Sequence, residues 1–122
     1  MPGIGATLGL VILYEIQSID RFERVQEFCS YARLVKCQHE SSGKRSGKSW
    51  SKIGNVHLKW AFSEAAVLFL RANPEGMKYK KRLERKHGKA KALSILAHRI
   101  GRAAFHMLKR GKAFDMNKFV QA

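Results

Sequence analysis

The stretch between Asn55 and Asn73 constrains the fold of this chain more than any other. Apolar residues there occupy nearly every face of a helix, among them Trp60, Ala61, Ala65, Ala66, Leu68 and Leu70. A helix that is apolar all round is normally buried in the core of a protein. Asn55 is a favourable N-cap residue, and Asn73 with Pro74 is typical of a helix end. The sequence therefore predicts a central core helix with the rest of the chain packed around it.

Two helices are predicted before this one. The first runs from Ala6 to Ile16, and because its apolar residues lie on most faces we expect it to be buried. The second opens at Asp20, which together with Glu23 resembles a capping box. Its apolar residues recur at helical spacing: Phe22, Val25, Phe28 and Ala32.

Two helices and a tail follow the core helix. Residues 75–87 predict a short basic helix that Gly88 ends, and residues 89–109 predict a long helix that ends at Gly111. The inner stripe predicted for the long helix is Leu93, Leu96, Ala97, Ile100, Ala104 and Leu108. The fold class is therefore mainly α, with a small helical domain over residues 1–111 and a tail over 112–122.

The charge of the chain indicates a polyanionic partner. It has 24 Lys+Arg against 9 Asp+Glu, a formal net charge of +15, while 45% hydrophobic residues are enough for a core. Residues 1–40 carry four cations and five acids, whereas residues 41–122 carry twenty cations and four acids. The surface that faces the polyanion is therefore expected to begin near residue 41, with DNA and RNA as the first candidates.

A membrane partner is not expected. The apolar run from Met1 to Tyr14 is shorter than the roughly 20 residues that span a bilayer, and the apolar residues of 56–70 are needed for the core. The two cysteines, Cys29 and Cys37, are too few for a disulfide framework. We expect both thiols to be free in a reducing cytoplasm.

Residues 39–52, HESSGKRSGKSWSK, form a basic loop rich in serine, with a short hairpin around residues 46–47 as an alternative. Composition alone favours a solvated linker that meets nucleic acid only through its charge. The other interpretation is a phosphate-contacting loop that carries a nucleophile. A serine acts as a nucleophile only when a base or a strong positive field activates it. Four cations could supply that field and stabilise charge on a phosphodiester: Lys44, Arg45, Lys48 and Lys52.

Two further segments are candidates for phosphate contact. Gly3 and Gly5 precede the first helix, as in helix-hairpin-helix modules that bind phosphate at a helix N-terminus, although a plain tight turn is the alternative. The segment 78–91, which contains most of the basic helix, carries eight cations in fourteen positions: Lys78, Lys80, Lys81, Arg82, Arg85, Lys86, Lys89 and Lys91. Such a face predicts sequence-independent, salt-sensitive phosphate contacts. Cys29, Cys37 and His39 match no zinc spacing, so no metal site is expected.

The order of several short segments resembles the C-terminal transposase domain of the insertion sequence one-ten family. The resemblance extends from residue 2 to about 110. The matching segments are PGIG at 2–5, SIDRF at 18–22, YARLV at 31–35, SGKR at 42–45, SKIGNVHLK at 51–59 and AA at 65–66.

This resemblance implies DNA transposition and recombination. In the family, a serine attacks a DNA phosphodiester and forms a covalent phosphoserine link, and a structured guide RNA pairs with target and donor DNA. The matching serine is Ser42, with Ser41 as the competitor if the register shifts by one. The resemblance also implies nucleic-acid contacts at Asn55 and Lys59, a homo-oligomer in the full-length protein, and a prokaryotic protein associated with the nucleoid. The charge of the basic helix adds expected nucleic-acid contacts at Lys78, Lys81, Arg82 and Arg85.

The chain also departs from the family pattern. The family's acidic DEDD nuclease domain, which holds magnesium, has no counterpart in the sequence, so this chain is expected to need no cofactor of its own. We expect a truncated form that does not recombine DNA alone, and a non-catalytic nucleic-acid-binding module is the alternative function. This chain has Arg33 where the family usually has glycine, and Lys36 where it usually has proline. It has Lys59 where the family has an arginine, which would bind phosphate through two donors.

Overall fold

Six α-helices and one 3-10 turn make up the described part of the structure, a computed structural model that describes residues 3–35, 54–71 and 73–121. The elements are α1 (Ala6–Ile16), the 3-10 turn (Ile19–Arg21), α2 (Val25–Tyr31), α3 (Val56–Phe69), α4 (Pro74–His87), α5 (Lys89–Arg110) and α6 (Met116–Gln121). The described residues contain no strand, which confirms the mainly α fold class. The predicted hairpin at residues 46–47 lies outside the described residues.

Helix α5 lies at the centre of the fold. It packs against α2, α3 and α4, while α1 packs on α3. The largest fully buried side chains of the described residues are Ile16, Phe28, Cys29, Leu58, Phe62, Phe69, Leu96 and Ile100. Phe28 contacts Phe62 and Phe105 at ring-centroid distances of 6.0 and 5.7 Å, which joins α2, α3 and α5 through one aromatic cluster.

Helix α3 is the predicted core helix, but one side of it faces solvent. Its N-cap is Asn55, as predicted, and its buried residues are Leu58, Ala61, Phe62, Ala65, Ala66 and Phe69. Trp60, expected inside, is 53% exposed, and Val67 is 46% exposed. The expectation was wrong there because only α1 and α5 cover α3 substantially within the described chain, so a third side has no cover.

The second helix begins later than predicted. The backbone N–H of Asp20 donates to Ser18 Oγ at 3.2 Å within the 3-10 turn, and Phe22 is extended. Helix α2 starts at Val25, and the capping carboxylate is Glu27, whose Oε1 accepts the Glu23 N–H at 3.0 Å. The capping box predicted at Asp20 is therefore wrong, because burial of Phe22 extends the chain between the two turns.

The two helices predicted after the core helix, over residues 75–87 and 89–109, agree with the bounds of α4 and α5 within one residue at each end. Along α5 the predicted stripe is buried at Leu96, Ala97, Ile100 and Ala104, but Leu108 is 37% exposed. Ala92, Gly101 and Phe105 complete the buried face instead.

The chain after Gly111 is ordered by the core. Phe119 of α6 is buried, with its ring centroid 5.2 Å from that of Phe69 and 5.7 Å from that of Tyr79. Arg99 donates to the carbonyl oxygen of Phe119 at 2.9 Å, and Arg82 donates to that of Val120 at 2.8 Å. These two arginines satisfy carbonyls that the end of a helix leaves without partners.

Candidate nucleic-acid interface

The predicted interface falls into two parts. Its loop residues lie outside the described residues: Ser41, Ser42, Lys44, Arg45, Lys48 and Lys52. What the structure describes is the base of that loop, the residues on which it starts and ends, together with the cations of α3, α4 and α5.

The loop base, consisting of Glu15, Tyr31, Arg33, Gly54 and Asn55, holds together the two ends of the segment that contains Ser42. The Asn55 N–H donates to the Tyr31 carbonyl oxygen at 2.7 Å. The Asn55 side chain caps α3 by accepting the Leu58 N–H at 3.0 Å, while its Nδ2 donates to Glu15 Oε1 at 2.8 Å and to the Tyr31 hydroxyl at 3.3 Å. Asn55, predicted to bind nucleic acid, therefore has a full set of internal partners.

Tyr31 is the aromatic member of this base. The hydrogen bond from Asn55 lowers the pKa of its phenol, and Arg21 lowers that pKa further. The guanidinium carbon of Arg21 lies 5.0 Å from the Tyr31 ring centroid, and Arg21 also donates to the Ile16 carbonyl oxygen at 2.8 Å. One arginine thus ties the end of α1 to the end of α2.

Backbone conformation explains two residues of the loop base. Arg33 has φ +59°, the left-handed region that favours glycine, and the family pattern usually has glycine at this position. Gly54 has φ +95°, and a Cβ there would lie 2.5 Å from Arg33 Cγ and 2.8 Å from the Tyr31 carbonyl oxygen. Gly54 is therefore required for the two ends of the loop to meet.

Leu34 fixes the loop base to the central helix. Gly101 of α5 is buried, and a Cβ on it would overlap Leu34 Cδ1. The glycine thus leaves the space that the leucine occupies. Because α5 carries this contact, the position of the loop base depends on the long helix as well as on α2 and α3.

Gly3 and Gly5, both predicted to contact phosphate, have different surroundings. Gly3 has φ +90°, and a Cβ there would lie 2.5 Å from the Ala65 carbonyl oxygen and 2.8 Å from the Phe69 nitrogen. Gly5 is the exposed N-cap of α1, and a Cβ there would meet nothing within 4 Å. Close packing on α3 thus accounts for Gly3, whereas Gly5 leaves the start of α1 open.

The α4 basic face, defined as Lys78, Lys81, Arg82 and Arg85, is solvent-exposed. Spacings of three and four residues place these side chains on one side of the helix. None of the four forms an ion pair with another described residue. Of the two acids of this helix, Glu75 lies in the first turn, and Glu84 is bound by Lys80 at 2.8 Å, a hydrogen bond that lowers the pKa of Glu84. The face therefore keeps its positive charge.

Lys59 adds an exposed cation in the first turns of α3. Sequence reasoning missed the cations on the second half of α5, where Arg99, Arg102 and Arg110 share one side with His106. The signal was available, because residues 99, 102, 106 and 110 are separated by three or four positions.

Cys29 is a core residue, as predicted. Burial raises the pKa of its thiol to about 11, opposed by Arg102, so the group stays protonated at neutral pH. Cys37 and His39 lie outside the described residues. Within residues 3–35, 54–71 and 73–121, no three His, Cys, Asp or Glu side chains are grouped so as to hold a metal ion.

None of the helices described above is both long and apolar enough to cross a membrane.

These features define a small helical domain that presents a cationic face and holds together the two ends of the basic segment. The family model described as transposase, IS116/IS110/IS902 family, matches residues 1–81 of the 122. The chain therefore belongs to this transposase family, which confirms the resemblance and places the chain among proteins of DNA transposition. The match covers the loop, its base and the first half of α4. Searches of curated proteins and of solved structures gave no match.

Proposed function

We propose that this chain is the DNA-binding and strand-exchange domain of a transposase, with Ser42 as its nucleophile. The observation that carries the proposal is the family match over residues 1–81, since it contains the Ser-Gly-Lys-Arg segment at 42–45. The hydrogen-bonded loop base supports it, because a nucleophile must be held in a defined place to attack.

The proposed reaction is a transesterification. Ser42 Oγ attacks the phosphorus of a DNA phosphodiester and loses its proton, an Oγ–P bond forms, and the bond from phosphorus to one deoxyribose oxygen breaks. The released deoxyribose oxygen takes up a proton. A hydroxyl of the exchanged strand then attacks the phosphoserine and frees the serine. Lys44, Arg45, Lys48 and Lys52 neutralise the non-bridging oxygens in both steps.

The partners of this reaction are part of the proposal. DNA interaction follows from the transposase family. A guide RNA, assembly into a homo-oligomer, and a magnesium-holding nuclease domain are inferred from the family resemblance alone. The α4 basic face and Lys59 are suited to the backbone of either nucleic acid, because exposed cations that form no ion pair with another described residue can contact phosphates of any sequence.

The test is a covalent adduct. The chain is incubated with substrate DNA, alone and with a family nuclease domain plus guide RNA, and the products are separated under denaturing conditions. We expect a protein–DNA band that Ser42→Ala abolishes and that Ser41→Ala, the matched control one residue away, leaves in place. An adduct that survives Ser42→Ala would overturn the assignment, and loss with Ser41→Ala instead would move the nucleophile to Ser41.

The second candidate function is a basic nucleic-acid-binding module without catalysis. The α4 basic face favours it, because binding through that face requires nothing from the loop. If no adduct forms in any reconstitution, this function replaces the first. Its own test is Lys78→Gln with Arg85→Gln, which we expect to weaken duplex binding and to reduce the slope of log affinity against log salt by roughly two. An unchanged slope would exclude the α4 face from the interface.

A further inference from the structure

A groove with a volume of about 360 Å³ runs between α5 and residues 112–119. Five permanent cations line it: Arg99, Arg102, Arg110, Lys112 and Lys118. The carboxylate on its wall belongs to Asp115. The groove lies beyond the residues that the family model matches, and it contains none of the residues singled out for the proposed function.

Two of the charged groups in the groove already have partners. Asp115 Oδ1 accepts the N–H groups of Asn117 at 3.0 Å and Lys118 at 3.3 Å, which caps α6. Arg99 is held by the Phe119 carbonyl oxygen and lies 5.3 Å above the Phe119 ring. They shape the groove and leave the other cations to attract a ligand.

The remaining cations point to an extended anion. Arg102 and Arg110 are exposed, and neither forms an ion pair with a described residue. Eight residues of helix separate them by about 12 Å along α5. Lys112 and Lys118 stand on the opposite wall. Cations spread along both walls at this spacing suit a chain of phosphates better than one small anion.

The floor of the groove is apolar. Met107 and Phe114 are both partly buried there. The Phe114 ring is fixed by edge contact with Phe69 at 6.4 Å and by Phe119 at 5.5 Å between ring centroids. A fixed aromatic ring between cationic walls is the arrangement on which an unpaired base can stack. A duplex offers phosphates but keeps its base faces covered, so it could not use this floor.

We propose that the groove between α5 and residues 112–119 binds a single nucleic-acid strand, with phosphates on Arg102, Arg110, Lys112 and Lys118 and a base against Phe114. None of these residues belongs to the Ser42 loop segment or to the α4 basic face. It rests on the proposed nucleic-acid binding of the domain, and it is independent of the serine chemistry.

The first test compares two variants of equal charge. Arg102→Gln with Arg110→Gln removes two cations from the groove, while Arg24→Gln with Arg71→Gln removes two exposed cations elsewhere. Binding is measured by fluorescence anisotropy with labelled oligo-dT and oligo-U of about 12 nucleotides and a duplex of equal length, at about 50 to 200 mM salt. Circular dichroism and thermal melting verify that each variant is folded.

We expect the groove variant to lose about tenfold in affinity for the single strand, with a salt slope smaller by about 1.4. The affinity of the control variant for the single strand should fall by less than about threefold, and the affinity of the groove variant for the duplex should also change by less than about threefold. Which oligonucleotide loses more identifies DNA or RNA as the occupant. Equal losses in the groove and control variants, or equal losses for duplex and single strand, would overturn the inference.

The second test addresses the floor. Phe114→Leu keeps an apolar side chain but removes the ring, and we expect at least about a fivefold loss for single strands and none for duplex. If Phe114→Leu has a melting temperature too low for the binding assay, Met107→Gln in helix α5 is tested in its place. Unchanged single-strand binding in the folded floor variant would overturn the stacking role.

The two proposals fail in different ways. If Lys78→Gln with Arg85→Gln weakens binding while the groove variant binds like the wild type, only the groove is excluded. If neither variant changes binding to any oligonucleotide, nucleic-acid binding through these helices is excluded altogether.

Discussion

The N-terminal part of the domain and its helical pair α4–α5 use polar residues in opposite ways. Around α1, α2 and the start of α3, the polar groups turn inward, and Asn55 alone connects Glu15, Tyr31 and Leu58. Along α4 and the second half of α5, exposed cations have few partners among the described residues. The first region therefore positions a loop, whereas the second offers charge to a ligand.

The difference makes a general point about motif residues. Gly3, Gly54 and Asn55 belong to segments that resemble the family, and each is accounted for by contacts inside the domain. A residue in a family motif can thus serve the geometry of a site without touching its ligand. Substitutions in the N-terminal part should change stability, whereas those in the helical pair should change affinity.

The largest effect is expected at Gly3. Gly3→Ala forces a side chain into a positive φ and against the α3 backbone, so the free energy of unfolding should fall by about 3 kcal/mol. Urea denaturation of Gly3→Ala and of Gly5→Ala, the control at an open position, gives the comparison. Gly5→Ala should cost less than about 1 kcal/mol. Equal losses would mean that Gly3 is not held by packing on α3.

The next effect is expected at Asn55. Asn55→Ala removes the cap of α3 and the donors to Glu15 and Tyr31, which should cost about 2 kcal/mol. Asn55→Ser keeps an oxygen for the cap and should recover about half of that loss. Urea midpoints of both variants, with exposed Lys59→Ala as reference, measure it. If Asn55→Ala unfolded like Lys59→Ala, the inward role of the loop base would be wrong.

How far the sequence predicted this fold depended on whether the signal was local. The first and last residues of helices α1, α4 and α5 were predicted to within one residue. Their residue spacing, and the glycines that end α4 and α5, lie within or directly beside each segment. The exposed side of α3 was missed, since an all-round apolar pattern does not say which face remains uncovered. Helix α6 has six residues, and its order comes from Phe119 packing on Phe69 and from Arg82 and Arg99.

The candidate site was predictable to the same extent. The α4 basic face was found because its cations are close in sequence. The internal role of Asn55 could not be found, since Glu15 lies forty residues away. The basic groove was missed because α5 and residues 112–119 form its walls together.

A smaller effect of opposite sign is expected at Arg33. Arg33→Gly relieves the cost of a positive φ, and after the greater entropy of glycine in the unfolded chain is counted, stability should rise by about 0.5 kcal/mol. Arg33→Ala keeps the unfavourable φ and should give no gain. Thermal melting of the three proteins makes the comparison. A loss with Arg33→Gly would mean that the arginine side chain over Gly54 stabilises the loop base more than its backbone strain costs.

The smallest effect is a dependence of stability on pH, and it belongs to the helical pair. Burial lowers the pKa of His98, with Arg102 and Arg99 lowering it further, and burial lowers the pKa of His106, with Arg110 and Arg102 adding to that. A histidine whose pKa is depressed by folding binds fewer protons when folded, so protonation favours unfolding. Its contribution to stability is therefore complete above the ordinary pKa of 6.5 and is lost as the pH falls through the lowered value.

Urea midpoints at pH 7.5, 6.5 and 5.5 test this dependence, with His98→Gln as the variant in which it should flatten. A flattened profile would show that protonation of His98 in the folded domain is unfavourable, first because the ring is buried and then because Arg102 and Arg99 are near it. A phosphate chain in the groove would raise the pKa of His106, which lines it, and so weaken the pH dependence of that residue. An identical pH profile in wild type and His98→Gln would mean that folding does not lower the pKa of His98, and that this part of α5 adds no pH dependence to stability.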